Sequence, residues 1–190
     1  MDKGHILKSC THLFEKWGVH GVSMDDVARH LGISKKTLYK IYANKDAIVT
    51  DFVRRLVEEN RLELTGQKVL GQKLPNRLLI FNRFIVNQAL AWGAVLFYDI
   101  RKYHPSAYQL VKQYKHELII FLNDLLVEGQ RSGIFRSNID PMLAAELRID
   151  VLEWNIMEAN HNIQSIKSKQ SQFFDLLFHG LQTKSEFKSP

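Results

Sequence analysis

The segment from Ser23 to Lys45, SMDDVARHLGISKKTLYKIYANK, constrains the fold most because it encodes two short helices around a tight turn. Apolar residues recur at helical spacing after Ser23 and again after Ser34, and serine is a preferred N-cap residue. Gly32 lies between the two stripes, where a chain leaving a helix often needs a left-handed residue. This pattern predicts a helix-turn-helix, whose second helix can lie in the major groove of DNA.

The charge of this segment has one sign. Between Asp26 and Asp46 there is no acidic residue, whereas five cations occur in or next to the predicted turn and second helix: Arg29, Lys35, Lys36, Lys40 and Lys45. A one-signed run on a compact motif indicates a polyanion partner, although a basic surface without any partner is the alternative.

The first fifty residues resemble the N-terminal signature of the TetR family of transcriptional regulators. The matching positions are Phe14, Trp17, Gly18, Gly21, Ser23, Val27, Ala28, Leu31, Gly32, Ile33, Ser34, Thr37, Leu38, Tyr39, Tyr42, Lys45 and Ile48. The resemblance implies an all-α chain, with a three-helix helix-turn-helix domain over 1–48 and a helical ligand-binding and dimerisation domain over 49–190.

The same resemblance assigns roles at the DNA surface. Lys36, Thr37 and Lys40 would point at base edges, and Lys35 would lie near a phosphate or a base. Phosphate contacts, which fix register without reading sequence, would come from Ser23, Ser34, Tyr39 and Lys45. Lys36 departs from the glycine that the family often has at this position, which affects the expected base preference.

Helical periodicity and helix breakers extend the prediction to about nine helices. The first covers 3–18, the fourth begins after Asn44 and passes residue 60, and a loop follows over 65–75. Further helices are predicted over 76–92, 94–103, 105–131, 141–161 and 168–183, before a frayed tail.

The last two of these helices are apolar around most of their circumference, which requires cover on every side. A second copy of the chain is the natural cover, and the resemblance implies the same dimer; a core within one chain is the alternative. The predicted interface residues are Leu147, Val151, Phe173, Phe174, Leu177, Gly180 and Leu181.

Aromatic residues with a few polar groups gather in the second half, as in a small-molecule pocket. The candidates are Phe84, Gln88, Trp92, Phe97, Tyr98, Tyr108, Trp154 and Asn155. Aromatic residues at helical spacing are also typical of plain core, and the resemblance favours the pocket.

Composition bounds the remaining classes. The chain has 190 residues, a net charge of +6 and 45% hydrophobic residues, which indicates a globular protein. Its one cysteine, Cys10, excludes an intrachain disulfide, and no apolar run approaches the roughly 20 residues of a membrane span. We therefore expect a cytoplasmic protein without contact to a membrane.

Catalytic motifs are missing from the sequence. It contains no HExxH, GxSxG, phosphate-binding loop or dinucleotide fingerprint, so we expect no enzyme, no metal and no cofactor. The predicted function is a homodimeric repressor, released from a pseudo-palindromic operator by a small-molecule ligand. The alternative is a helical dimeric module that binds small molecules or proteins and contacts DNA only weakly and without specificity.

Overall fold

Helix boundaries fall where the sequence places caps and helix breakers. The structure, a computed structural model, describes residues 2–66, 71–158 and 163–183. These residues form eight helices: α1 (Lys3–Gly21), α2 (Met24–His30), α3 (Lys35–Ile41), α4 (Lys45–Leu64), α5 (Leu74–Tyr103), α6 (Pro105–Arg131), α7 (Pro141–Glu158) and α8 (Ile163–Leu181). The all-α prediction is confirmed.

Two glycines interrupt helices by leaving the helical conformation. Gly18 breaks α1 at φ 71°, ψ 162°, and Gly93 breaks α5 at φ 66°, ψ 163°. The predicted helices over 76–92 and 94–103 correspond to the two parts of α5 on either side of the break at Gly93. At the other end of the chain, α8 begins five residues before the predicted position 168, while the predicted end of its predecessor at 161 and the tail beyond Thr183 lie outside the described residues.

The structure divides into two compact units. Unit 1 comprises Met1–Arg61 and Trp92–Tyr114, and unit 2 comprises Leu62–Ala91 and Lys115–Pro190. The predicted domain boundary at residue 48 stays a prediction, since unit 1 also includes most of α4 and the segment around the α5–α6 junction.

The core of unit 1 is built on the apolar stripe of α1. Ile6 and Cys10 are fully buried, and the Phe14 ring packs edge-on against Phe52 of α4 at 5.3 Å between centroids. Trp17, which continues the same stripe in sequence, is instead 62% exposed. The helix breaks at the next residue, Gly18. The buried residues that follow, such as Val19, therefore do not continue the stripe that Trp17 belongs to.

In unit 2, α5 packs against α6, and the segment after α6 pairs with the end of α8. The rings of Phe81 and Phe121 stack at 5.5 Å between centroids. After α6 an extended piece begins at Gly133, as predicted, and the N–H of Arg136 donates to the carbonyl of Leu181 at 2.8 Å.

One described helix, α5, is long and apolar enough to cross a membrane by length and composition alone, with 28% of its most apolar window buried. One of its cations, Arg77, pairs with Glu128 of α6 at 2.7 Å. Gly93 also interrupts the helix.

Candidate nucleic-acid interface

Two serine caps set the start of the helices that form the motif. The hydroxyl of Ser23 accepts the N–H of Asp26 at 3.2 Å, and the Asp26 carboxylate accepts the N–H of Ser23 at 2.9 Å, which completes a capping box. The Ser23 hydroxyl also donates to the Asp26 carboxylate at 2.6 Å, and this bond together with the one from the Ser23 N–H lowers the pKa of Asp26. Ser34 caps α3 by accepting the N–H of Thr37 at 3.1 Å. Both predicted caps are confirmed.

The turn between α2 and α3 uses the left-handed glycine that the sequence predicts. Gly32 has φ 64°, and the N–H of Ile33 reaches back to the carbonyl of Ala28 at 3.0 Å. Leu38 is fully buried and Tyr42 is 2% exposed, and these two side chains hold α3 against the rest of unit 1. Because these two residues fix one side of α3, the opposite side faces solvent.

The outward side of α3 carries most of the predicted base-reading residues. Lys36, Thr37 and Lys40 are all exposed, and Tyr39 is 43% exposed at the edge. Within the described part of the chain, the ammonium groups of Lys36 and Lys40 form no ion pair. They are therefore available to a partner with negative charge.

A cleft of about 400 Å³ lies beside this face, between the start of α2, α3 and the start of α4. Four of the predicted phosphate-binding or base-contacting residues line it together with residues that sequence reasoning did not select. The full lining is His20, Gly21, Val22, Ser23, Met24, Asp25, Lys35, Tyr39 and Lys45.

Lys35 is engaged inside the protein. Its ammonium contacts the Asp25 carboxylate at 2.7 Å and lies 6.0 Å from the centre of the Tyr39 ring. The hydrogen bond to Asp25 raises the pKa of Lys35, so the cation is held at this position. Sequence gave no signal for the pair, because its members are ten positions apart on different helices.

Lys45 is held at the opposite wall of the cleft. Its ammonium donates to the carbonyl of His20 at 3.2 Å, and its partial burial lowers its pKa, opposed by the charge of Asp99. The side chain of Asn44 caps α4 by accepting the N–H of Ala47 at 2.8 Å. The cleft thus presents an ammonium group at the start of α4, and the N-terminus of a helix suits phosphate.

Comparison with known proteins agrees with this geometry. A family model described as bacterial regulatory proteins of the tetR family matches residues 6–51. The mycofactocin biosynthesis transcriptional regulator MftR of Mycobacterium tuberculosis is 37% identical over 83 residues, which cover 42% of this chain and 42% of that protein. The HTH-type transcriptional regulator YdgC of Bacillus subtilis is 26% identical over 194 residues, covering 96% and 94% of the two chains. Residues 6–51 therefore form a DNA-binding domain of the TetR family.

A solved structure shows that the likeness of fold extends beyond the motif. A transcriptional regulator from Saccharomonospora viridis, determined in complex with choline, aligns with a TM-score of 0.78 at 18% identity, covering 96% of this chain and 98% of that one. Members of the TetR family are DNA-binding transcription factors and are not enzymes. The prediction that this chain is a regulator without catalytic activity is therefore confirmed, while the individual DNA contacts stay predictions.

The predicted ligand residues of this chain are divided between the two units. Phe84 and Asn155 are buried in unit 2, where the Asn155 amide donates to the carbonyl of Val151 at 2.9 Å and Gln88 donates to Glu63 at 3.5 Å. In unit 1 the half-buried rings of Phe97 and Tyr108 meet edge to face at 6.2 Å, and Trp92 is half-buried.

Two members of the predicted pocket are open to solvent. Trp154 is 62% exposed on α7, and Tyr98 is 45% exposed, with the Lys102 ammonium donating to its hydroxyl at 2.9 Å. All eight predicted pocket positions, these two included, stay predictions.

The predicted dimer residues lie mostly on accessible faces of α7 and α8. Leu147 is 47% exposed, Gly180 is exposed, and Val151, Phe173, Phe174 and Leu177 are half-buried. Leu181 differs, since it is 5% exposed and packs within its own chain. Three exposed apolar residues on these helices were not selected for the interface: Leu143, Trp154 and Leu176, which are 52%, 62% and 72% exposed.

Proposed function

We propose that the chain is a homodimeric transcriptional repressor in the cytoplasm, which binds a pseudo-palindromic operator and is released by a small-molecule ligand. The observation that carries the proposal is the exposed basic face of α3, with Lys36 and Lys40 unpaired among the described residues, next to a cleft that holds Lys45. Unpaired cations on the outer face of a rigid helix-turn-helix favour binding to the phosphates and bases of a DNA duplex.

Base reading is assigned to the outward side of α3. Lysine ammonium groups donate to the O6 and N7 atoms of guanine, and the methyl group of Thr37 suits the methyl group of thymine. Tyr39, Ser23 and Lys45, which border the cleft, hold the flanking phosphates and set the register.

Dimerisation is assigned to the accessible faces of α7 and α8. Leu143 and Leu147 on α7 and Leu176 on α8 expose between 47% and 72% of their surface. Soluble monomers rarely expose apolar side chains in a large contiguous patch, so such leucines indicate a protein–protein interface. A two-fold dimer presents two copies of α3 to half-sites about one helical turn apart or somewhat more.

Release follows as a shift of population between dimer arrangements. A ligand in the helical second half favours an arrangement whose two α3 helices no longer match adjacent grooves. We assign the link between the two events to α4, which, like α5 and α6, has residues in both compact units.

The DNA-binding step is tested by fluorescence anisotropy with duplex from the upstream region of the protein's own gene, against random duplex, across a range of salt concentrations. We expect a strong preference for the upstream duplex and a steep salt dependence. The double variant Lys36→Ala, Tyr39→Phe should lower affinity about tenfold or more, while Lys167→Ala, an exposed lysine on α8, should not. Equal affinity of the double variant would reject this placement of the DNA-reading helix.

The dimer is tested with a matched pair of exposed leucines. Leu176→Glu on α8 should shift sedimentation toward the monomer, because it places a charge in the proposed interface. Leu62→Glu on α4 should not, although Leu62 is 74% exposed against 72% for Leu176. An unchanged dimer in Leu176→Glu would remove α8 from the interface.

A further inference from the structure

A buried cation lies at the centre of unit 2. Arg148, on α7, is 1% exposed and is among the largest fully buried side chains. An arginine in this position is unusual, because removing a charge from water is costly unless an anion lies beside it. The question is which group balances this charge.

The partners of Arg148 are neutral. The Asn82 carbonyl oxygen on α5 accepts from Nε at 3.1 Å and from Nη2 at 2.5 Å, and the Gln170 carbonyl oxygen on α8 accepts from Nη1 at 2.7 Å. No carboxylate in the described ranges contacts the guanidinium. Burial alone lowers the pKa of Arg148 to about 10, so it stays charged at neutral pH.

The site also has more donors than acceptors. Three of the five guanidinium N–H groups donate in the contacts above, and the buried amide nitrogen of Gln170 has no acceptor among the described residues. Gln170 itself is 1% exposed. In a complete neutral network both the oxygen and the nitrogen of each amide have hydrogen-bond partners. Here, N–H groups without an acceptor remain next to a positive charge.

The geometry shows what kind of group completes it. The Asn82 oxygen lies in the fork between Nε and Nη2, which is where a carboxylate oxygen binds arginine side-on. Asn82 is only half-buried, so this is the accessible end of the network. The neighbours along the same side of α7 are the buried apolar residues Ala144, Ala145 and Leu152.

We propose that Arg148 binds the carboxylate of a small amphipathic acid, whose anionic group takes the place of the Asn82 oxygen while its apolar body packs among α5, α7 and α8. The acid is the effector of the regulator, and this identification rests on the ligand-responsive function proposed above. The Saccharomonospora relative was crystallised with choline, a cation. The buried arginine gives this chain the opposite preference.

The ligand class is tested by thermal unfolding of the full chain with matched straight-chain probes, from acetate to decanoate, against the corresponding alcohols and amines. We expect the longer carboxylates to raise Tm by about 3 °C or more at saturation, because they bind the native state only. The alcohols and amines of equal length should not. If no carboxylate exceeds its alcohol, the proposal is wrong and Arg148 is a structural tie between helices.

A variant that supplies the anion internally gives a test that needs no ligand. Asn82→Asp conserves shape and places a carboxylate in the fork, so it should raise Tm without any probe and remove the response to carboxylates. Asn87→Asp, an exposed position on the same helix, adds the same charge and should do neither. A lower or unchanged Tm for Asn82→Asp, or a retained response, would overturn the proposal.

The two proposals fail in different ways. Anisotropy with the upstream duplex and no probe measures DNA binding alone, and its failure would count against the regulator without touching the acid site. Normal DNA binding combined with absent carboxylate binding would count against Arg148 alone. We expect DNA binding in the absence of probe and its weakening by the longer carboxylates.

Discussion

Gly18 gives the sharpest test of the fold, because two independent features of its environment require glycine. Its φ of 71° and ψ of 162° lie in a region that is essentially restricted to glycine. A Cβ added there would lie 3.0 Å from a carboxylate oxygen of Asp99 and 3.2 Å from a methyl group of Val95. Gly18→Ala therefore combines backbone strain with close contacts.

The magnitude follows from these two effects. Backbone strain in this region costs about 1–3 kcal/mol. Asp99 cannot move away freely, because it is 7% exposed and accepts the N–H of His20 at 2.7 Å; weakening that buried hydrogen bond costs about 1 kcal/mol more. We expect Gly18→Ala to lose about 2–4 kcal/mol in the free energy of unfolding and about 5–10 °C in Tm.

Gly21 provides the control on the same helix. Its φ is not positive, and no heavy atom lies within 4 Å of a Cβ built there, so Gly21→Ala should be neutral or stabilise by about 0.4–1 kcal/mol. Urea unfolding followed by circular dichroism, at one fixed protein concentration, measures both variants. Equal losses for the two, or wild-type stability for Gly18→Ala, would refute the reasoning.

Three further predictions concern the motif and unit 2. Asp25→Asn releases Lys35 from its 2.7 Å ion pair, so the log–log salt dependence of DNA binding should steepen by about 0.9; an unchanged slope would mean that Lys35 contacts no phosphate. Ser34→Ala removes the cap of α3 and should cost about 1 kcal/mol in urea unfolding, whereas Ser34→Asn should retain most of it. Gly129→Ala places a methyl group into the ring of Phe135 and should lower stability by about 1–3 kcal/mol; a wild-type urea midpoint would show that the ring can move.

The local elements of the motif could be predicted from the sequence because their causes lie within a few residues. Ser23 and Ser34 cap the helices that follow them, and Gly32 takes the left-handed conformation at the turn. Each of these depends on hydrogen bonds or backbone sterics that span about four positions. The same holds for the break at Gly93 and the helix start at Pro105.

Pairings between distant residues could not be predicted in this way. Asp25 and Lys35 meet because α2 and α3 cross at one particular angle, and apolar periodicity does not encode that angle. Trp17 continues the apolar stripe of α1 in the sequence and Trp154 is a predicted pocket residue, yet both are 62% exposed. Spacing shows that a residue lies on an apolar stripe but not how far the stripe is covered.

The sequence by itself therefore determined an all-helical chain with a capped helix-turn-helix and a cationic outer face, since these follow from local conformational preferences and charge. Only the tertiary structure decided that Lys35 is paired and that Arg148 is buried between amides 66 and 22 positions away. Those contacts exist because packing brings three helices together, and the free energy of a buried charge depends on everything around it rather than on its neighbours in sequence.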